Sequence, residues 1–126
     1  MKKMKGHKDL EVWKRSIKLA KEIYRLTESL PKEELYGLSD QMKRAVVSIA
    51  SNIAEGAARN SQKEFIQFLY IALGSASELD TQIEICKEIR FKNLNEKTLD
   101  NLQNELAIIS KMIYGLISNL KTKIID

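Results

Sequence analysis

Apolar side chains recur in alternating steps of three and four along four stretches of this sequence, the period of a helix that buries one face. Phe65, Leu69, Ala72, Ala76, Leu79, Ile83 and Cys86 form one such line, and Leu99, Leu102, Leu106, Ile109, Ile113, Leu116 and Leu120 form another. Met42, Ala45 or Val46, Ile49 and Ile53 follow the same rule, as do Trp13, Ile17, Ala20 and Tyr24. Lines of this spacing favour near-parallel packing, and short links force neighbouring helices to run antiparallel. The pattern predicts an all-α fold, an antiparallel up-down-up-down four-helix bundle.

Breaks in the pattern mark the ends of the helices. Asp9 is a suitable N-cap for a first helix that ends near Ser29, where Leu30-Pro31 stops it because proline disfavours helical geometry in the residue before it. Pro31 opens an extra turn over 32–35, and Tyr36-Gly37 closes the link to a second helix over 38–58 that passes through or bends at Gly56. Asn60 breaks that helix, and Ser61 to Glu64 read as a capping box that starts a third over 62–90, roughly 40 Å long. Asn95 caps a fourth helix over 96–121, with Leu94 and Leu99 placed for a hydrophobic staple. The chain divides into a flexible basic leader (1–8), the bundle (9–122) and a C-terminal tail (123–126).

Two stretches are more apolar than a bundle helix needs. Phe65 to Leu73 reads FIQFLYIAL, with Gln67 its only strongly polar side chain. Helix one carries a second stripe, Val12, Leu19, Ile23 and Leu26, about 100° around from the first. A helix apolar on more than one side must be covered on more than one side, so self-assembly is expected.

At 126 residues the chain is one domain with enough interior to fold without disulfide or metal. Cys86 is its single cysteine, which excludes an internal disulfide and suits a reducing compartment. With no signal-like or membrane-length apolar run, a soluble, cytoplasmic protein is expected. The net charge is +4, and all of the excess lies early: residues 1–37 hold ten Lys/Arg against six Asp/Glu, while the remainder is balanced. That asymmetry points to an acidic partner such as nucleic acid.

Candidate chemistry is sparse. No helix carries a histidine, so the Glu-x-x-His pairs of bundle di-iron sites are missing, and His7 stands alone in the leader. Cys86 falls on a core line, and Glu84 and Glu88 are an ordinary pair on a charged face. The sequence offers no catalytic residues, metal site or cofactor site. The positive charge is better organised. Lys14, Lys18, Lys21 and Arg25 are spaced to share one line of helix one, and with Lys2, Lys3, Lys5 and Lys8 of the leader they can follow a phosphate backbone. Glu11 and Glu22 stand beside them, so a solubilising face is the alternative.

Helix two presents a stripe of polar and small residues: Gln41, Arg44, Ser48, Ser51, Asn52 and Glu55, followed by Gly56. These are read as an assembly and packing motif together with Phe65, Phe68 and the mid-helix Gly74, which suggests a close crossing because such a glycine costs about 1 kcal/mol relative to alanine. Arg44, Asn52 and Glu55 can hydrogen-bond across a helix or subunit contact, and a buried Arg–Glu pair there would fix register more than it adds stability.

The strings DLEVWKRS (Asp9–Ser16), GLSDQMKRAVVSIASNIAEG (Gly37–Gly56) and EFIQFLYIALGSASELDTQI (Glu64–Ile83) resemble the small four-helix-bundle proteins encoded by intervening sequences of bacterial 23S ribosomal RNA genes, often labelled S23 ribosomal proteins. The resemblance covers nearly the whole chain. It implies a bacterial protein that assembles as a ring-shaped homopentamer, similar in fold to the accessory proteins of diversity-generating retroelements, which bind nucleic acid and a reverse transcriptase. It implies no catalytic residues. His7 departs from the pattern where relatives often carry an aromatic residue, and Ala76 where a larger apolar one is common.

Two functional expectations follow. The first is a non-enzymatic homo-oligomer, pentameric by resemblance, that binds RNA or DNA through the lysines as a scaffold or accessory factor, with a nucleoprotein enzyme such as a reverse transcriptase as a further partner. The alternative is a structural or protein-interaction module with no nucleic-acid binding.

Overall fold

Residues 6–124 are described in a computed structural model of the chain. Four helices, α1 (Glu11–Glu28), α2 (Asp40–Ala57), α3 (Gln62–Ile89) and α4 (Glu96–Ile124), form the antiparallel up-down-up-down bundle, and no strand occurs among the described residues. α2 packs most extensively against α3, and α1 against α4 is the thinnest of the neighbouring contacts.

The helix ends follow from local chemistry, with differences from the sequence-based expectations. Asp9 is not the cap of α1: it closes a short 3₁₀ turn, His7–Asp9, and the N-cap position falls to Leu10, whose side chain cannot accept a hydrogen bond. Beyond Pro31 the chain makes a 3₁₀ turn (Lys32–Glu34) and a wide turn (Leu35–Ser39) kinked at Gly37, which delays α2 to Asp40. Ser61 Oγ accepts from the Glu64 backbone N–H at 3.3 Å, but the Glu64 carboxylate lies 3.5 Å from Arg59, so only half of the capping box forms. Arg90 ends α3 in the left-handed conformation (φ 59°). Asn95 Oδ1 caps α4, accepting from Lys97 N and Thr98 N. That helix continues three residues past its expected end, to Ile124.

The interior is one cluster of apolar residues from all four helices, and it corrects the reading of α1. Val12, Leu19, Ile23 and Leu26, expected as a second stripe, are the core face, whereas Ile17 and Tyr24 of the expected core line are 44% and 47% exposed. The physical reason is Ser16. It lies on the same line as Val12, Leu19 and Ile23, and it can be fully buried because its hydroxyl donates to the Val12 carbonyl at 2.8 Å. A polar side chain satisfied by its own helix does not break a core. On α4, Ile117 takes the buried place expected for Leu116, which is half-buried.

Most of FIQFLYIAL packs inside the protomer. Ile66, Leu69, Ala72 and Leu73 are buried, Phe65 and Phe68 are half-buried, and Tyr70 and Ile71 are left facing out.

Candidate functional site

Successive residues of α1 turn by about 100°, so its side chains fall into four lengthwise stripes. With Val12, Ser16, Leu19, Ile23 and Leu26 in the core, the stripe on the opposite side is Lys14, Lys18, Lys21 and Arg25, and all four are exposed. Arg25 Nη1 lies 3.6 Å from Glu22, whereas Lys14, Lys18 and Lys21 have no carboxylate within ion-pair distance among the described residues. Lys8 is exposed on the turn that leads into this ridge; Lys2, Lys3 and Lys5 lie outside the described residues. His7 is half-buried, its ring edge-on to Trp13 at 5.0 Å.

On the α4 side the ridge is bordered by acid. Arg15 donates to both carboxylate oxygens of Glu105, at 2.8 and 3.2 Å, which raises its already high pKa. This fork bridges a groove of about 660 Å³ between α1 and α4 whose walls include Glu11, Lys14, Lys18, Glu22 and Glu105 over Leu19 and Leu102. Phosphate approaching from that side would meet three carboxylates, so the open approach is from directly outside α1. On the α2 side the border is apolar: Trp13, Ile17, Ala20 and Tyr24, with Lys43 Nζ 5.4 Å from the Tyr24 ring centre.

The residues of the proposed packing motif separate. Ser48 and Ser75 share a hydrogen bond of 2.7 Å between α2 and α3, and Asn52 Nδ2 donates to both the carbonyl and the hydroxyl of Ser48. Gly56 is buried where a Cβ would stand 2.8 Å from Phe65 Cδ1 and from Phe68 Cβ, so no larger side chain fits there without a shift of its neighbours. Within the protomer Arg44 pairs with Asp40, one turn back along α2, and Glu55 with Arg59, just beyond the C-terminus of that helix. Gly74 is exposed, with nothing within 4 Å of a Cβ placed on it.

Other elements escaped the sequence reading. Arg59 stacks 4.9 Å from the Phe68 ring centre while paired to Glu55 and Glu64. Lys87 joins α3 to α4 through Asp100 at 2.7 Å, which raises its pKa, and through Gln103 at 3.1 Å. Gln82 is buried, with its Oε1 unpartnered. These contacts had a weak signal at best, since charged residues at helical spacing read first as solvated faces.

Cys86 is fully buried with its thiol against Met42 Sδ at 4.0 Å, and burial pushes its pKa up to about 11. Such a thiol is a poor nucleophile near neutral pH. Among the described residues no three His, Cys, Asp or Glu side chains gather to hold a metal, and no helix is long and apolar enough to cross a membrane.

Comparison with known proteins adds a family. The family model described as "23S rRNA-intervening sequence protein" matches residues 8–115. A solved structure of a protein of unknown function from the S23 ribosomal protein family of Bacteroides thetaiotaomicron superposes with a TM-score of 0.75 at 28% identity, covering 84% of this chain and 97% of that one. No curated protein matches.

Proposed function

Because the chain belongs to the 23S rRNA-intervening sequence protein family, we propose that it acts without catalysis, as a self-assembling four-helix bundle that binds nucleic acid, RNA foremost, as a scaffold or accessory factor. The observation that carries this reading is the pair of stripes on α1. A ridge of four cations points straight away from the core, and beside it runs an apolar stripe that the protomer leaves uncovered. Four side chains alone form a weak electrostatic site, because each phosphate neutralised adds only one increment of counterion release. Repetition of the ridge through self-association, in the homopentamer that the family resemblance implies, multiplies that term. A nucleoprotein enzyme such as a reverse transcriptase would then be recruited through the bound nucleic acid.

The acidic border favours a second reading, a protein-interaction module in which the ridge serves solubility. Glu22 already pairs with Arg25, and Glu11 and Glu105 line the adjoining groove. Binding of labelled 23S ribosomal RNA fragments over a salt series separates the two. Affinity that falls steeply with salt is expected, and replacing Lys14, Lys18, Lys21 and Arg25 by glutamine should weaken binding at least tenfold while light scattering reports an unchanged mass. Absence of binding at low salt, or affinity indifferent to salt, would leave the interaction module standing.

A further inference from the structure

The groove between α1 and α4 shares two residues with the cation ridge. Lys14 and Lys18 line it while standing on the ridge, and neither has a carboxylate within ion-pair distance among the described residues. Its floor is apolar, made by Leu19 and Leu102, and its α4 wall carries Thr98 and Asn101 beside Glu105. At about 660 Å³ it has the size of a small-molecule pocket, for which roughly 300–1,000 Å³ is usual.

Arg15 lies across this groove. It donates to one carboxylate twice, from Nε at 2.8 Å and from Nη2 at 3.2 Å, which holds the guanidinium in a fixed plane, and its side chain is still 37% exposed. A planar cation whose charge Glu105 already compensates is a weak phosphate ligand and a good surface for a flat ring to lie on. The three carboxylates, Glu11, Glu22 and Glu105, repel phosphate but accept hydrogen bonds from N–H groups. Glu11 has no ion-pair partner among the described residues. Together these walls suit a neutral, flat ring that carries N–H groups. The lysines on the rim suit an anionic group attached to that ring.

We infer that the α1–α4 groove seats an unpaired base of single-stranded RNA, the base lying against the Arg15 guanidinium and its flanking phosphates on Lys14 and Lys18. This rests on the RNA binding proposed above and names the form of RNA that is recognised. Bases within an A-form duplex are stacked and paired, so they cannot enter the groove. The ridge alone makes the opposite choice, because each phosphate neutralised on a duplex releases more counterion than one on a single strand. The order of the two affinities therefore separates a base seat from a bare row of cations.

A labelled RNA strand without self-complementarity, and the same strand annealed to its complement, are titrated with the wild-type protein at one low salt concentration. The single strand should bind more tightly by about fivefold or more. Arg15→Lys keeps the charge and loses the planar fork, so it should weaken single-strand binding by about fivefold or more. The slope of its log K against log salt should stay that of the wild type, because no phosphate contact is lost. Asn101→Leu, at an exposed position, removes a hydrogen-bonding group from the wall and should weaken single-strand binding by about fivefold. Helical circular dichroism and wild-type mass by light scattering, retained in both variants, assign the loss to the groove. If Arg15→Lys loses its helical signal, Asn101→Leu decides. Duplex bound as tightly as the single strand, or Asn101→Leu and a folded Arg15→Lys both binding the single strand as the wild type does, overturns the base seat while the ridge stands. Absence of binding to either RNA at low salt overturns both.

Discussion

A glycine inside a helix gives up about 1 kcal/mol relative to alanine, so each one can be asked what it receives in return. Gly56 receives close packing. An added methyl would stand 2.8 Å from Phe65 Cδ1 and Phe68 Cβ and 3.2 Å from the Phe65 carbonyl oxygen, and atoms fixed to a neighbouring backbone cannot move aside easily. Gly56→Ala should therefore destabilise the protomer by about 1–3 kcal/mol despite the gain in helix propensity. Gly74 receives nothing within its own protomer, so Gly74→Ala should stabilise it by roughly 0.5–1 kcal/mol. Both values should be read by denaturant unfolding at one fixed protein concentration, so that any assembly adds equally to each apparent stability. Opposite signs are expected; a Gly74→Ala variant less stable than its parent would show that this glycine has a role inside the protomer. The sequence marks both glycines as costly. It does not say which one lies under a neighbour, because that depends on how α2 rotates against α3.

Among the elements, α2 and α3 were the more legible pair and α1 the less. On α2 the apolar line from Met42 to Ile53 is flanked by polar residues, so one rotation buries it well, and on α3 the line from Leu69 to Cys86 is buried as its spacing predicts. α1 carries two lines of similar strength. Trp13 and Tyr24 make one look more apolar, and Ser16 makes the other look interrupted, yet the hydrogen bond from Ser16 to the Val12 carbonyl allows the second line to be the core. A sequence shows a hydroxyl but not whether its own helix satisfies it. The same holds for the serine pair at the α2–α3 crossing. Ser48 and Ser75 meet at 2.7 Å where Ser75 is buried, so each hydroxyl is the other's partner. Ser75→Ala should cost about 1 kcal/mol by leaving Ser48 short of a bond, and Ser48→Ala a similar amount. The double variant should cost less than the sum of the two, because neither hydroxyl is then left without the other, and Asn52 Nδ2 keeps the Ser48 carbonyl. Additive losses in urea unfolding would mean that water already serves both hydroxyls.

At the scale of the whole molecule, the charge ridge lies on α1 and the exposed Ile71, Ile85 and Ile89 lie on α3, so binding and assembly can be separated by experiment. A Gly74→Glu/Ile85→Glu variant changes only α3 and leaves Lys14, Lys18, Lys21 and Arg25 in place on α1. If the ridge acts by repetition, such a variant, once light scattering gives it the mass of one protomer, must bind RNA more weakly although it keeps every cation of the ridge. Its salt dependence gives the sharper measure, since log K falls with log salt by about 0.7 for each single-strand phosphate neutralised. Four ridge cations on a lone protomer then permit a slope of about −3 at most, and the assembled wild type should exceed it. Titrating a labelled single-stranded fragment between roughly 50 and 200 mM salt covers the useful range. A steep wild-type slope that becomes shallow in the variant identifies the assembled ridges as the binding surface. Equal slopes for the two proteins would place recognition within a single protomer, where the leader lysines become the first residues to remove.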